Sequence, residues 1–425
     1  MQKTILRAYK YRIYPNKKQV EFLENHFGAC RFVYNYSWGK YKDTKLPNKT
    51  ILQKELKELK KEEKYAWLNQ INSQSLQVSI HNLIKAYKRA FSKEVVKERK
   101  IAFAKANTQK QKAKALKLGF PKFKSKKDNY QSFNIPQNVK VKDNKVYIPK
   151  SKEGIKVKFH RQLPQNGTIK QATISRKNGK YFISILIEEV IKITQKPFRA
   201  IGIDMGLEHF IILSNGEKIS NPKWFRKTEK RLKILQRRLS KKVLYSKNWY
   251  KLKAKISKLH ETILNQRNDF LHKASAVIAK QYSLIAIENL SVKNMQKNHY
   301  LAKSISDVSW SKFVEFLKYK SEWYGAKLIQ IDKFSPSSKT CSICGYKIDK
   351  LPLSKRKWTC PYCNTIHDRD INAAKNMLKF VLSGMEQPKG SPQNLFCGVS
   401  KEPVEVCQKA TVEAGSPDLF ALAKS

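Results

Sequence analysis

The sequence predicts a multi-domain α/β protein, and three observations lead to that prediction. Its 425 residues with 41% hydrophobic content are enough for two or three domains, each with a core of its own. Short apolar segments rich in β-branched residues alternate with long basic segments of helical pattern. Two Cys-x-x-Cys pairs near the C-terminal end predict a small metal-bound ribbon within the last domain.

The charge of the chain indicates a polyanionic partner. Lys and Arg number 87 against 33 Asp and Glu, which gives a formal net charge of +54. Such an excess opposes compaction by self-repulsion, and phosphate groups would relieve it while releasing their condensed counterions. Nucleic acid is therefore the first partner to expect, and a typical small-metabolite enzyme is excluded.

No sequence feature favours export or a membrane partner. The N-terminal segment lacks the apolar core of a signal peptide, and the longest apolar run, around residues 181–187, is far too short to span a bilayer. Seven cysteines, four of them in Cys-x-x-Cys pairs, are typical of a reducing compartment and of metal binding rather than disulfides. We expect a prokaryotic cytoplasmic protein associated with the nucleoid.

The first half of the chain is expected to combine helices with a small β-rich module. A helix is predicted to begin after Pro15, and residues 84–127 form a basic helical segment with 16 Lys and Arg. Short β-branched segments over residues 130–198 predict strands. The early tyrosines could stack on bases, but tyrosines at such spacings belong more often to half-buried cores.

The second half changes to buried strands separated by helices. AIGID, HFIIL and EKI predict three strands, and Asn215-Gly216 between the last two suits a tight hairpin turn. Further strands are predicted at SLIAIE and KLIQI. Helices are predicted over the basic residues 226–258, over 308–323 and over the Ala-rich segment INAAKNMLKF. The C-terminal end, rich in Gly, Pro and Ser, predicts a loosely ordered tail.

Three acidic positions at the ends of predicted elements suggest a catalytic centre. Asp204 and Glu288 each end an apolar strand, and Asp370 precedes the Ala-rich helix. Converging carboxylates in a basic protein would hold two divalent cations, and Mg²⁺ suits oxygen ligands and a phosphate substrate. Each residue also has a structural interpretation, as a turn residue, a strand end or a helix N-cap. Of the neighbours Asp368 and Asp370 one is expected to be structural, and the alanines that follow favour Asp370 as the third carboxylate.

The cysteines predict a structural zinc site. Two Cys-x-x-Cys pairs separated by 15 residues have the spacing of a zinc ribbon, and the predicted ligands are Cys341, Cys344, Cys360 and Cys363. Four thiolates close a tetrahedral site and leave no open position. Gly345 and Asn364 follow the two pairs at positions where a left-handed conformation is expected. His367 is expected to pack near the metal rather than ligate it.

These motifs together resemble a known family. IGIDMG, IAIENL, SSKTCSICG, WTCPYC and HDRDINAAKN, in this order, closely resemble the motifs of TnpB proteins of bacterial and archaeal insertion sequences, and YKYRIYPNKKQ resembles their opening. The resemblance covers roughly residues 1–385 and departs from the family at Asn364, where a Gly is usual. It implies a RuvC-like nuclease domain of the ribonuclease H fold with an inserted zinc ribbon, after an N-terminal β-rich wedge and a helical recognition part.

The resemblance implies domain boundaries as well. The N-terminal nucleic-acid-binding lobe would span residues 1–196, with its basic helical recognition part at about 16–127. The nuclease domain would span 197–385, the inserted ribbon 336–366, and a flexible tail 386–425.

The activity that the resemblance implies is RNA-guided cleavage of DNA, as in a compact relative of type V CRISPR effectors. The guide RNA would be encoded at the transposon end, and double-stranded target DNA would be cleaved beside a short transposon-adjacent motif, with one protein copy per RNA. Asp204, Glu288 and Asp370 match the catalytic, Mg²⁺-binding carboxylates, and the four cysteines match the Zn²⁺ ligands. The basic segments suit a heteroduplex that is held through its backbone.

Three other functions remain open from the sequence. A guide-directed repressor without cleavage would be expected to lack a catalytic carboxylate, and all three are present. A transposase could use the same carboxylates on the same fold. An actin-like ATPase shares the Ile-Gly-Ile-Asp-x-Gly pattern, but it would need a second Gly-rich phosphate loop, which the sequence lacks.

Overall fold

The computed structural model of the protein describes residues 2–194, 196–332, 335–352 and 354–386. The chain divides into a unit over residues 2–191 and a second unit from residue 192 onward. The expected tail lies outside the described residues from position 387. No helix in the described ranges has the length and apolar character needed to cross a membrane.

The N-terminal unit is built on a seven-stranded sheet. Its strands are β1 (Gln2–Tyr14), β2 (Tyr130–Ile135), β3 (Lys140–Lys142), β4 (Lys145–Tyr147), β5 (Ile155–Lys158), β6 (Thr168–Lys177) and β7 (Lys180–Lys192). They lie in the order β2-β6-β7-β1-β5-β4-β3. The strand β1 was not predicted, although Tyr9, Tyr11 and Ile13 are buried while the residues between them are exposed. This period of two is the pattern of a half-buried strand, so these tyrosines belong to the core.

Helices cover residues 17–116 of the same unit. They are α1 (Lys17–Tyr41), α2 (Lys49–Leu59), a 3-10 helix (Glu63–Gln70), α3 (Ser73–Ala90), α4 (Lys93–Ala104) and α5 (Gln109–Leu116). The helix α1 begins after Pro15 as predicted, because the Asn16 side chain accepts a hydrogen bond from the Gln19 backbone N–H at 2.9 Å and the Gln19 side chain accepts one from the Asn16 N–H. The predicted basic segment 84–127 is divided among α3, α4 and α5.

The C-terminal unit contains a five-stranded sheet. Its strands are β8 (Ala200–Asp204), β9 (His209–Leu213), β10 (Lys218–Ser220), β11 (Leu284–Glu288) and β12 (Lys327–Ile331). Their order is β10-β9-β8-β11-β12, and only β9 runs against the other four. Numbered within the sheet, this is the 3-2-1-4-5 order of ribonuclease H-like domains, as the resemblance implied. Only Gly216 of the Asn-Gly pair has a positive φ, so the predicted turn is not of the mirror-image type with two such residues.

Helices cover both faces of this sheet. They are α6 (Trp224–Ser240), α7 (Lys247–Gln281), α8 (Val292–Met295), α9 (His299–Val308), α10 (Trp310–Tyr324) and α11 (Arg369–Glu386). On one face Ile201 and Ile203 pack with residues of α7, α9 and α10, and on the other Ala286 packs with Ala373 and Met377 of α11. The predicted helix 226–258 is interrupted between α6 and α7, and the second helix continues to Gln281.

One lysine lies inside the contact between α7 and α10. Lys320 is 5% exposed, and its Nζ donates hydrogen bonds to the His272 carbonyl oxygen and, at 2.8 Å, to the Ser275 hydroxyl. Burial, together with the positive charge of Lys280, lowers the pKa of Lys320 from 10.5 to about 8. The charged form of this side chain therefore destabilises the fold at neutral pH.

Candidate active site

Asp204 and Glu288 lie at the carboxyl ends of neighbouring parallel strands. Ile203 of β8 is paired with Ile287 of β11, so the two acidic residues follow at the same level of the sheet. Side chains alternate along a strand, and Asp204 therefore points to the same face as Gly202. Glu288 likewise shares the face of Ala286, and both faces are the one that α11 covers.

The helix α11 approaches β8 closely enough to exclude a side chain between them. A Cβ atom at Gly202 would lie 1.9 Å from the carbonyl oxygen of Ala374. Ala373 and Ala374 are buried, and their small side chains permit this approach. Asp370 lies one helical turn before Ala374 and so on the same side of the helix. The first turn of α11 thus brings a third carboxylate to the ends of β8 and β11.

The electrostatics of Asp204 reflect this convergence. Burial and then the negative charges of Asp370 and Glu288 raise its pKa from 3.8 to about 7, against a hydrogen bond from the Met205 backbone and the charge of Arg369. Burial also raises the pKa of Glu288. A buried carboxylate such as Asp204, whose pKa is raised by two neighbouring carboxylates, is stabilised by a cation, and hard oxygen ligands of this kind suit Mg²⁺.

Asp368 has a different position from Asp370. One of its oxygens accepts hydrogen bonds from the backbone N–H groups of Asp370, at 3.1 Å, and Ile371, at 3.2 Å, so Asp368 caps the start of α11. The other oxygen pairs with Lys218 of β10 at 2.6 Å. Burial opposes its ionisation, but these hydrogen bonds outweigh burial and lower its pKa. Asp368 therefore fixes the turn that carries Asp370.

Arg356 contacts the candidate catalytic carboxylate from the segment between the cysteine pairs. Its Nη1 lies 3.2 and 3.3 Å from the two oxygens of Asp370, and its carbonyl oxygen accepts the Arg369 backbone N–H at 2.8 Å. Neither Arg356 nor Lys218 was predicted from the sequence, because nothing distinguishes either from the other cations of a chain with 87 Lys and Arg.

The four predicted zinc ligands come together as a group that could hold a metal ion. The sulfur atoms of Cys341, Cys344, Cys360 and Cys363 all lie within 4.8 Å of one another, and among the described residues this is the one group of three or more His, Cys, Asp or Glu side chains so close together. Two of the sulfur pairs, Cys341–Cys363 and Cys344–Cys360, are separated by 3.6 Å. Tetrahedral Zn²⁺ with Zn–S bonds of about 2.3 Å requires sulfurs about 3.8 Å apart, so the quartet fits this ion.

The two knuckles of the ribbon repeat one backbone pattern. The Cys341 N–H donates to the Tyr346 carbonyl at 2.8 Å, and the Cys360 N–H donates to the Thr365 carbonyl at 2.9 Å. Gly345 and Asn364 adopt positive φ values of 81° and 54°, as predicted. Strands β13 (Lys357–Thr359) and β14 (Ile366–Asp368) close the ribbon.

His367 lies beside the metal site, as predicted. Its Nε2 is 3.0 Å from the Cys341 sulfur, and its ring packs on Trp358 with centroids 4.7 Å apart. Hydrogen bonds of Asn372 connect the ribbon to α11. The Asn372 side chain accepts a hydrogen bond from the Ser342 N–H at 2.8 Å and donates one to the Thr340 carbonyl oxygen at 2.7 Å. The first cysteine knuckle is thus fixed to the helix that begins with Asp370.

Comparison with known proteins identifies the family. A family model described as "Probable transposase" matches residues 183–299, one described as "Cas12f1-like, TNB domain" matches 310–377, and a "Helix-turn-helix domain" model matches 1–44. A Streptomyces pristinaespiralis protein named "Putative RNA-guided DNA endonuclease" is 33% identical over 99% of this chain and 100% of its own length. The chain belongs to the TnpB family.

Other known proteins are similar to this TnpB-family chain. "Putative RNA-guided DNA endonuclease InsQ" of Escherichia coli K12 is 31% identical over 88% of this chain and 92% of its own length. A solved structure, a cryo-EM complex of Cas12f1 with sgRNA and target DNA, has 16% identity and a TM-score of 0.47, covering 88% of this chain and 98% of that chain. Within 1–44 the described residues form β1 and α1, so this region of the TnpB-family chain contains one helix rather than the two of a helix-turn-helix.

The basic segments of the TnpB-family chain form exposed helical surfaces. The helices α6 and α7 border two open clefts that share Arg238 and Lys255, and more than half of the residues lining each cleft are cations, among them Lys230, Arg231 and Lys251. In the N-terminal unit no residue of α4 is buried and Ala115 alone is buried in α5. Exposed helices with such an excess of positive charge are suited to contact with the phosphate groups of nucleic acid.

Proposed function

We propose that this TnpB-family protein is an RNA-guided DNA endonuclease that cleaves target DNA beside a short transposon-adjacent motif. The observation that carries the proposal is the convergence of Asp204, Glu288 and Asp370 at one edge of a ribonuclease H-like sheet. Full-length relatives named as RNA-guided DNA endonucleases support it. A repressor without cleavage would not need these three carboxylates together.

The three carboxylates would hold Mg²⁺, most simply as two ions. The ions when bound would activate water and stabilise the leaving oxygen of the phosphodiester. Asp204, which interacts electrostatically with both Asp370 and Glu288, would be the central ligand of this group. The exposed Arg356, which pairs with Asp370 at 3.2 Å, would contribute a positive charge to a phosphate group bound beside the carboxylates. Asp368 and Lys218 would keep Asp370 in position through the first turn of α11.

The remaining assignments follow from the same proposal. Residues 1–196, with a recognition part at about 16–127, would bind the guide RNA and the target DNA. Residues 197–385 would form the nuclease domain, with a ribbon at 336–366 whose four cysteines hold structural Zn²⁺. The basic surfaces would hold the guide–target heteroduplex through its backbone. One protein copy per RNA is expected.

The decisive experiment uses protein co-expressed with its native flanking DNA. RNA that copurifies is sequenced, and the complex is then given Mg²⁺ and plasmids that carry the guide-matched target beside randomised sequence. A discrete RNA and cleavage that depends on a short adjacent motif are the expected result. Target binding without cleavage would indicate a repressor, and the lack of a discrete RNA would indicate a transposase or a general nucleic-acid binder.

Variants separate catalysis from folding. Asp204→Ala is expected to abolish cleavage while RNA and DNA binding stay close to wild type. Asp269→Asn, a charge change on the exposed side of α7, serves as the control and should cleave normally. If Asp204→Ala also lost nucleic-acid binding and unfolded at lower temperature, the carboxylate would be structural rather than catalytic.

A further inference from the structure

Each knuckle of the zinc ribbon presents one exposed tyrosine. Tyr346 is 44% exposed and Tyr362 is 74% exposed. Their rings are parallel to within 4°, with centroids 6.3 Å apart. We refer to this pair as the tyrosine platform. Because the two planes share one direction, planar groups that stack on the two rings would be parallel to each other, as neighbouring bases of a strand are.

The platform is held by the metal site. The Tyr346 carbonyl oxygen accepts the Cys341 N–H at 2.8 Å, and Tyr362 lies between Cys360 and Cys363. Tyr362 is therefore carried on a loop with a candidate metal ligand at each end, and Tyr346 lies two residues after the ligand Cys344 and is hydrogen-bonded to the ligand Cys341. Such loops lose little further conformational freedom when a ligand binds, which favours binding.

The ribbon segment that carries Tyr346 and leads to Tyr362 is cationic. From the first knuckle to the first residue of β13, the exposed charged side chains are basic except for Asp349; the basic ones are Lys347, Lys350, Lys355, Arg356 and Lys357. The electrostatic complement of this surface is a polyanion. A second copy of the chain, whose formal net charge is also +54, would be repelled from it.

Exposed aromatic rings among cations are the features that bind single-stranded nucleic acid. Bases stack on the rings irrespective of sequence while lysines and arginines follow the backbone. In a duplex the base faces are covered by their neighbours, so a duplex offers the rings nothing to stack on. A strand separated from its complement does offer them.

We propose that Tyr346 and Tyr362 form a stacking site for single-stranded DNA. The proposal rests on the proposed nuclease function in one respect, namely that the strand concerned is the one presented for cleavage. The Asn372 contacts with Ser342 and Thr340 support this, because they fix the first knuckle to the helix that carries Asp370. The platform and the candidate catalytic carboxylate therefore belong to one connected element.

The test measures binding without cleavage. The full-length protein with its guide RNA is titrated, without Mg²⁺, into fluorescent oligothymidylate that does not match the guide, and into an abasic oligonucleotide of equal length and charge. The double variant Tyr346→Ala/Tyr362→Ala is expected to bind oligothymidylate at least about tenfold more weakly, since stacking stabilises by about 1–3 kcal/mol per base. Its affinity for the abasic strand should equal that of wild type.

Controls isolate stacking from folding. Tyr346→Phe/Tyr362→Phe keeps the rings and should bind as wild type does, and Tyr300→Ala removes an exposed tyrosine on α9 and should have no effect. Zinc content and guide RNA content are measured for every variant. If the alanine variant loses zinc, Tyr346→Leu/Tyr362→Leu replaces it, because leucine stays apolar but has no flat face.

The outcomes are distinct. Wild-type affinity of the ring-less variant for oligothymidylate, or an equal loss on the abasic strand, would overturn the stacking site. Loss of the guide RNA in the variant would instead assign the tyrosines to the guide. None of these results depends on cleavage, so the proposed nuclease function is judged separately by Asp204→Ala.

Discussion

Substituting Gly202 by alanine tests whether the close approach of α11 to β8 positions the third carboxylate. The added Cβ would lie 1.9 Å from the Ala374 carbonyl oxygen and 3.2 Å from the Leu378 Cβ, whereas real Cβ contacts are essentially never shorter than 3.0 Å. A backbone carbonyl in a helix cannot rotate away as a flexible side chain can. The start of α11 must therefore move off the sheet by about 1 Å or more in a close-packed interior.

That displacement carries Asp370 away from Asp204. A misplacement of about 1 Å at a reacting centre can lower the rate by roughly 10²-fold, and overpacking a core typically costs about 1–3 kcal/mol of unfolding free energy. We expect Gly202→Ala to show a loss of this order in single-turnover cleavage of a guide-matched plasmid, with guide RNA still bound. Its unfolding temperature should also fall.

Gly384→Ala is the matched control in the same helix. A Cβ atom there would meet nothing within 4 Å, and its backbone is helical, so alanine should stabilise the helix by up to about 1 kcal/mol. Cleavage by this variant should be unchanged. Wild-type cleavage by Gly202→Ala would refute the positioning argument, and a lower unfolding temperature with normal cleavage would restrict the contact to a role in stability.

Three further predictions follow from the contacts described. Asp368→Ala removes the cap of α11 and the partner of Lys218, so thermal unfolding should show a loss of about 1 kcal/mol and cleavage should fall, whereas Asp368→Asn keeps the cap and should retain most of the stability. Cys341→Ser should reduce the zinc measured per chain and lower the unfolding temperature, and full zinc content would contradict the assignment. Lys320→Met should raise the free energy of unfolding in urea at pH 7 by up to about 3 kcal/mol. The pKa of Lys320 is about 8 in the folded protein and 10.5 ordinarily. The destabilisation by charged Lys320 is therefore complete below pH 8, weakens as the pH rises and vanishes above pH 10.5. A stability gain of Lys320→Met that does not change with pH would refute this account.

The sequence alone predicted those parts of the fold that local patterns determine. The strands that end at Asp204 and Glu288 are short apolar runs, and the left-handed residues Gly345 and Asn364 follow Cys-x-x-Cys pairs at a fixed offset. The strand β1 was missed for a different reason. Several of its buried residues are tyrosines that alternate with lysines and arginines, so the segment is not apolar overall. The strand is recognisable only from the alternation of buried and exposed positions.

The charged partners of the site could not be predicted in this way. Arg356, which contacts Asp370, lies 14 residues before it in the sequence. Lys218, which pairs with the helix cap Asp368, lies 150 residues before that residue. No spacing rule links such pairs, since they depend on how β10 and the ribbon segment approach α11 in the folded chain. From the sequence we could predict only that the side chains of Asp368 and Asp370 point in different directions. The capping hydrogen bonds show that the Asp368 side chain is the one that faces the helix backbone.

Two small-residue motifs far apart in the sequence turn out to be the two sides of one contact. The glycine of IGID and the alanines of INAA meet where α11 crosses β8. Asp204 lies two residues after Gly202, and Asp370 lies one helical turn before Ala374. A larger side chain on either side would separate the helix from the strand and the carboxylates from each other. The small residues beside each carboxylate therefore control its distance from the other.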